Sequence, residues 1–124
     1  MIQANELRIG NYVRCVEGNI IKINKEDFIC ILTNTYEVDP IPLTEEILLK
    51  CGFERKSYTT KGVEIEVIYY KIGNIVVYLM RDFFEIEITT SSGQFNLHKT
   101  FPKKLHQLQN LYFALTGEEL EVKL

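Results

Sequence analysis

The chain has 124 residues, of which 46% are hydrophobic and 25% charged, a composition typical of a folded domain with one sizeable core. Its net charge of −3 excludes a general electrostatic attraction to nucleic acid or to an anionic membrane. No stretch approaches the ~18 consecutive apolar residues of a membrane span, and the N-terminus lacks a signal-peptide pattern, so we expect a cytoplasmic protein.

The first third of the chain predicts a β-meander. Residues 5–16, 20–23 and 28–32 are apolar or alternating segments, separated by polar turns that include Glu17, Gly18 and Asn19. The segment in which Gly10 shortly precedes the Tyr12-Val13 pair is similar to the first strand of SH3-like barrels, where a glycine precedes an aromatic-valine pair. We therefore expect residues 1–43 to form a meander of three strands with an SH3-like start.

A short helix over residues 45–51 should follow. Thr44 is a suitable N-cap, because its hydroxyl can accept a hydrogen bond from a free backbone N–H group of the first turn. Glu45 and Glu46 favour the positive end of the helix dipole. Gly52 can end the helix in a left-handed conformation, with Phe53 folding back in a Schellman motif.

Residues 63–71 and 84–88 alternate between apolar and polar positions, whereas residues 75–80 are apolar on both faces. This contrast predicts an antiparallel meander with 75–80 in the centre, joined to the preceding strand by a Gly73-Asn74 turn. A turn at 91–94 and a return strand at 95–98 complete it. The carboxylate pairs Glu64/Glu66 and Glu85/Glu87 are typical of solvated sheet faces.

The best-specified element is a helix at residues 106–117, entered through Phe101-Pro102 and ended by Gly117. Its apolar stripe suits packing on a sheet and comprises Leu105, Leu108, Leu111, Tyr112 and Leu115. Residues 120–124 should form a closing strand or an ordered tail. We expect one α+β domain over 1–124: the meander of 1–43, then the short capped helix, a mostly antiparallel sheet and the long C-terminal helix packed on it.

One face of this helix is not explained by its apolar stripe. His106, Gln109, Asn110 and Phe113 share that face at spacings of helical neighbours. They are our candidate binding residues, as the lining of a groove for a planar or polar ligand or as a patch for a partner. The alternative is structural: a second layer, such as the N-terminal meander or another subunit, covers Phe113 while the polar side chains bond to backbone.

Lys99, Lys103 and Lys104 belong to the only basic cluster, which precedes the long helix. They could contact a phosphate or a nucleic acid at the helix N-terminus. A solvated turn is the simpler interpretation, since a nucleic-acid interface normally presents a larger basic patch.

The sequence contains no motif of a catalytic or metal site. His98 and His106 lack metal-ligand spacing. The three cysteines, Cys15, Cys30 and Cys51, are too widely spaced for a zinc site, and an odd number of cysteines does not suit a disulfide framework. Neither a nucleophile elbow nor a Gly-rich phosphate loop is present. We expect no catalytic residue, no cofactor and reduced thiols.

Residues 5–13, 41–53 and 106–120 together carry a resemblance, most specific in Gln107-Leu108-Gln109-Asn110-Leu111-Tyr112. On these stretches the chain resembles small uncharacterised proteins from Bacteroides-type bacteria and their phages or mobile elements. The resemblance implies an accessory setting of that kind and no particular chemistry.

These observations favour a non-catalytic binding or interaction module, with a protein partner or self-association rather than a membrane. The alternative is a nucleic-acid-associated accessory protein that uses the basic cluster. A small enzyme is the third hypothesis, because a fold alone does not exclude chemistry.

Overall fold

Two antiparallel sheets, three α-helices and a short 3₁₀ helix at Ala4–Glu6 form the described part of the chain in the computed structural model. The structure describes residues 2, 4–33, 35, 37–62, 64–90, 93–100 and 103–124, and for residues 90 and 93–100 it describes the backbone only. In chain order the elements are β1 (Tyr12–Cys15), β2 (Ile20–Lys22), α1 (Lys25–Leu32), β3 (Val38–Asp39), α2 (Glu45–Lys50), β4 (Glu54–Thr59), β5 (Glu66–Ile72), β6 (Ile75–Leu79), β7 (Phe84–Thr90), β8 (Gly93–Thr100) and α3 (Leu105–Thr116). The α+β class is confirmed.

The chain forms two compact units, of which the first comprises Met1–Leu43 and Lys104–Leu120. Its sheet has the strand order β2-β1-β3, and β1 pairs antiparallel with both neighbours. The predicted turn after β1 is present, with the Gly18 N–H group donating to the Cys15 carbonyl at 2.8 Å. One hydrophobic cluster in the core of this unit comprises Ile2, Leu7, Val13, Ile23, Ile31 and Val38.

The prediction of a third strand at residues 28–32 is wrong, because this segment belongs to helix α1. The helix begins with a capping box, in which the Asn24 side chain accepts from the Asp27 N–H and the Asp27 carboxylate accepts from the Asn24 N–H. A short apolar run does not by itself distinguish a strand from a helix, and here the cap decides. The SH3-like start is not confirmed, since the third strand of the sheet is β3.

The predicted short helix is confirmed as α2, which belongs to the second unit, Thr44–Lys103 with Glu121–Leu124. Thr44 Oγ1 accepts a hydrogen bond from the Ile47 N–H at 3.3 Å. At the other end Gly52 has φ +90°, and the N–H group of Phe53 donates to the Leu48 carbonyl at 3.2 Å. These bonds form the predicted Schellman ending.

The second unit contains a five-stranded meander in the order β4-β5-β6-β7-β8, with β6 in the centre as predicted. The Gly73-Asn74 turn is confirmed by the pairing of Ile72 with Ile75. The sequence did not predict most of β4, a polar edge strand whose six residues are all exposed. Strand β8 is longer than the predicted 95–98, and its pairing with β7 shifts register next to Ile86 and Glu87. Val63, the Ser91-Ser92 part of the predicted turn and the Phe101-Pro102 helix entry lie outside the described residues.

Helix α3 ends as predicted, at Gly117, whose φ is +73° and whose N–H group donates to the Phe113 carbonyl at 2.8 Å. The apolar stripe predicted that this helix packs on the larger sheet, but α3 lies in the same compact unit as residues 1–43. Polar contacts join α3 to β1 and to the segment before it. The last residues form an ordered tail, in which Leu120 and Val122 are buried and the Lys123 N–H donates to the Lys50 carbonyl.

Candidate functional site

The face of α3 that carries the sequence-predicted binding residues lies against the N-terminal segment of the first unit. The Gln109 side chain accepts from the Tyr12 N–H at 2.8 Å and donates to the Gly10 carbonyl at 3.1 Å. Asn110 donates to the Glu6 carbonyl at 3.0 Å and accepts from the Asn11 amide at 2.9 Å. Both amide side chains therefore satisfy polar groups of the chain itself.

Phe113 is partly covered by Arg8 from the same N-terminal segment. The Arg8 guanidinium carbon lies 4.5 Å from the centroid of the Phe113 ring, within the range of a cation–π contact. Arg8 also donates to Asn110 Oδ1 at 3.1 Å and forms an ion pair with Glu119. Phe113 still has 39% of its surface exposed.

His106 is buried at 2% exposure, and neither ring nitrogen has a hydrogen-bond partner among the residues that the structure describes. Burial lowers the pKa of His106 from 6.5; the Lys104 charge lowers it further, and the Glu6 charge partly opposes both. The imidazole is therefore neutral at physiological pH. The four predicted residues share one face, yet His106 and Gln109 are closed off from solvent.

The basic cluster is described only in part. Lys103 donates from Nζ to the Met80 carbonyl at 2.8 Å within the second unit. Lys104 is the half-buried N-cap residue of α3, and its N–H group donates to the Gln107 side chain at 3.2 Å. The side chain of Lys99 lies outside what the structure describes.

The five-stranded sheet carries a feature that the sequence analysis missed, three tyrosines side by side on one face of β4, β5 and β6. The centroids of the Tyr58 and Tyr69 rings are 5.9 Å apart, and those of Tyr69 and Tyr78 are 6.1 Å apart. Both pairs are tilted, at distances that favour aromatic contact. We call this surface, Tyr58, Tyr69 and Tyr78 with their neighbours on the same side, the tyrosine face.

Strand register explains why these rings meet. Lys56 pairs with Tyr69 and Tyr58 with Val67, and directly paired residues project to the same side of a sheet. The opposite side carries the buried residues of the unit's core, among them Tyr70, Ile75, Val77, Phe84 and Ile86. Tyr58 remains 48% exposed, so the tyrosine face has accessible aromatic surface.

Two adjoining hollows lie on this face and share Lys71. The first, of about 270 Å³, is lined by Tyr58, Tyr69, Lys71, Val76, Tyr78 and Thr89. The second, of about 300 Å³, is lined by Gly52, Glu54, Lys56, Lys71, Ile72 and Gly73. The face thus has an aromatic end and an end with two lysines.

Charge is distributed unevenly across the tyrosine face. Val76 pairs with Lys71 on one side and with Glu87 on the other, so the backbones of Lys71 and Glu87 are two strand spacings apart, roughly 9.6 Å. Glu87 is hydrogen-bonded to the Tyr78 hydroxyl. Its Oε2 atom is buried without a partner in the described part of the chain. Burial first, and then the Glu87 charge, raise the pKa of Tyr78, so its hydroxyl stays protonated.

The carboxylate pairs noted in the sequence do not form a shared site in the structure as described. Glu66 pairs with Thr59 at one side of the sheet, whereas Glu85 and Glu87 lie on β7, with β6 between that strand and β5. Among the described residues, no group of three histidine, cysteine, aspartate or glutamate side chains could hold a metal ion. No described helix has the length and apolar content needed to cross a membrane.

In comparisons with known proteins, no family model, no curated protein and no solved structure matches this chain.

Proposed function

We propose that this protein is a non-catalytic binding module and that the tyrosine face is its binding surface for a ligand with a planar ring. The observation that carries this proposal is the row of three tyrosine rings across adjacent strands, beside a hollow of about 270 Å³. Binding sites commonly combine aromatic walls with a few polar groups that fix orientation.

Stacking supplies the affinity in this proposal. An aromatic side chain stacked on a planar ring contributes about 1–3 kcal/mol, and the contact tolerates different rings because each has a π face. Tyr58 is the most accessible of the three, while Tyr69 touches both other rings. We assign Tyr58 and Tyr69 the ring contact and Tyr78 a supporting role, since its hydroxyl is engaged by Glu87.

The chemistry of the face supports binding rather than turnover. The raised pKa of Tyr78 keeps its hydroxyl protonated, and this hydroxyl donates a hydrogen bond to the Glu87 carboxylate. A general base must instead reach a substrate proton with a free lone pair in an accessible position.

The cellular setting is part of the proposal. Three free thiols suit a reducing cytoplasm, and a phage or mobile-element role stays a prediction.

A titration with adenosine, an uncharged planar probe, tests the proposal. We expect the ring signals of Tyr58, Tyr69 and Tyr78 to shift in nuclear magnetic resonance spectra, and Tyr58→Ala to weaken binding by about fivefold or more, the equivalent of ~1 kcal/mol. Ser57→Ala is the matched control, because Ser57 is exposed on the same strand and projects to the opposite side. Absence of shifts at the three rings would refute the proposal.

Self-association through the exposed part of Phe113 is a separate prediction for the first unit. An aromatic ring at 39% exposure can add apolar contact between two copies. Sedimentation of the wild-type protein and of Phe113→Glu tests it, because a charge at that ring would lower the mass of any assembly formed there. Identical sedimentation of the two proteins would exclude this interface.

A further inference from the structure

We infer that the ligand of the tyrosine face carries an anionic group next to its planar ring, as a nucleotide does, and that Lys71 and Lys56 bind that group. This inference rests on the proposed function, because it places the ring on the tyrosines. It adds the chemical class of the ligand and the orientation in which the ligand lies.

The position of Lys71 is the first argument. Lys71 lines both hollows, so this residue lies at the junction between the aromatic end and the second hollow. It is two residues from Tyr69 on β5, which puts both side chains on the same face about 6.6 Å apart along the strand. A ring stacked on Tyr69 would therefore hold a directly attached anion within reach of Lys71.

Charge complementarity is the second argument. Two lysines, Lys56 and Lys71, and one carboxylate, Glu54, line the second hollow, which gives these three side chains a net formal charge of +1. Lys56 is 3.5 Å from Glu54 in an exposed ion pair, a weak interaction that an anion can replace. At the other end of the face Glu87 would repel an anion. The ligand therefore binds in one orientation, with its anion over the lysines.

The shape of the second hollow is the third argument. Gly52 and Gly73 line it without side chains, and a Cβ added at Gly73 would meet nothing within 4 Å. This leaves room for a compact group such as a phosphate beside the lysines. A net formal charge of +1 among the side chains of the hollow suits one phosphate group, whereas a nucleic-acid strand is normally bound by a larger basic surface.

Paired titrations with adenosine and adenosine monophosphate test the inference. We expect the monophosphate to bind about fivefold more tightly at low salt, as one exposed charge-assisted hydrogen bond would provide. Added salt should remove this advantage. Lys71→Gln should reduce the affinity for the monophosphate to that for adenosine, Lys71→Arg should retain most of the difference, and Lys61→Gln, in the turn before β5, should leave both affinities unchanged.

The outcomes separate the two proposals. Equal affinity for the two probes in the wild-type protein would overturn the anion inference and leave the ring site intact. Failure of both probes to bind would overturn the proposed function and this inference with it. A short single-stranded oligonucleotide identifies the source of the nucleotide: tighter binding than the monophosphate with a steeper salt dependence indicates a nucleic-acid strand, and equal binding indicates a free nucleotide.

Discussion

His106 makes the first unit sensitive to acid. Its pKa is lowered by burial from 6.5, so below that pH the unfolded chain binds a proton that the folded chain does not. Stability is therefore complete above pH 6.5 and falls as the pH drops toward the lowered pKa. Lys104, together with the N-terminal position of His106 in α3, adds to the cost of a positive charge there, while Glu6 reduces it.

We expect His106→Leu to flatten this dependence. Leucine does not titrate, and it removes two buried nitrogens that have no partner in the described part of the chain, so the free energy of unfolding at neutral pH should rise by about 1 kcal/mol. Urea denaturation at neutral pH and below pH 6.5 measures both effects. A variant with the same loss of stability in acid as the wild-type protein would contradict this role of His106.

The Cys30 and Cys51 thiols should differ in reactivity. Cys30 is exposed, whereas burial raises the pKa of Cys51 from 9.0 to about 12. Because the thiolate is the reactive form, iodoacetamide should modify Cys30 in the native protein and Cys51 only after unfolding. Mass spectrometry of peptides checks this, and Cys30→Ser is the control.

The raised pKa of Cys51 also makes stability depend on pH. Its contribution is complete below pH 9.0 and is lost between pH 9.0 and about 12, where the Cys51 thiol ionises only in the unfolded chain.

At the scale of elements, α1 depends on its N-terminal cap. Asn24→Ala removes the acceptor of the Asp27 N–H group and should lower the free energy of unfolding by about 1 kcal/mol. Hydrogen exchange of the α1 amides should increase in parallel. Lys25→Ala, at the first helical position but outside the capping box, should have little effect, and equal losses in the two variants would argue against the cap.

This cap also shows what local sequence can predict. Thr44 and Gly52 identified α2 because the groups they satisfy lie within the same few residues. Asn24 and Asp27 carry the same type of local signal, a capping box that identifies the start of α1. Strand β4 gave no such signal, since its polar residues are exposed and only pairing with β5 defines it.

The tyrosine face could not be predicted at the level of single elements. Each tyrosine lies on a different strand, and the three rings meet only through the register of β4 with β5 and of β5 with β6. The alternation in residues 63–71 identified two faces, but the pattern did not show which one was buried. Tyr70, which faces the core, and Tyr69, which faces outward, are neighbours of the same residue type.

At the scale of the whole molecule, the chain returns at α3 to complete the unit begun by its first 43 residues. The bonds that bring α3 there are specific and non-local. Gln109 and Tyr12 are 97 residues apart, and Arg8 and Asn110 are 102 apart. An amphipathic pattern predicts that a helix buries one stripe, but it does not predict that polar side chains on another face will bond to a distant loop.

Gln109 tests whether these bonds hold the first unit together. Gln109→Leu keeps a side chain of similar size but leaves the Tyr12 N–H and the Gly10 carbonyl without their partner, and each such orphaned group costs about 1–3 kcal/mol. We expect lower stability in urea and faster hydrogen exchange in β1. Ala114→Leu introduces the same side chain at an exposed position of α3 and should change stability by no more than about 0.5 kcal/mol. If the two variants were equally stable, α3 would be held by its apolar stripe, and the amide face would have to be explained by binding.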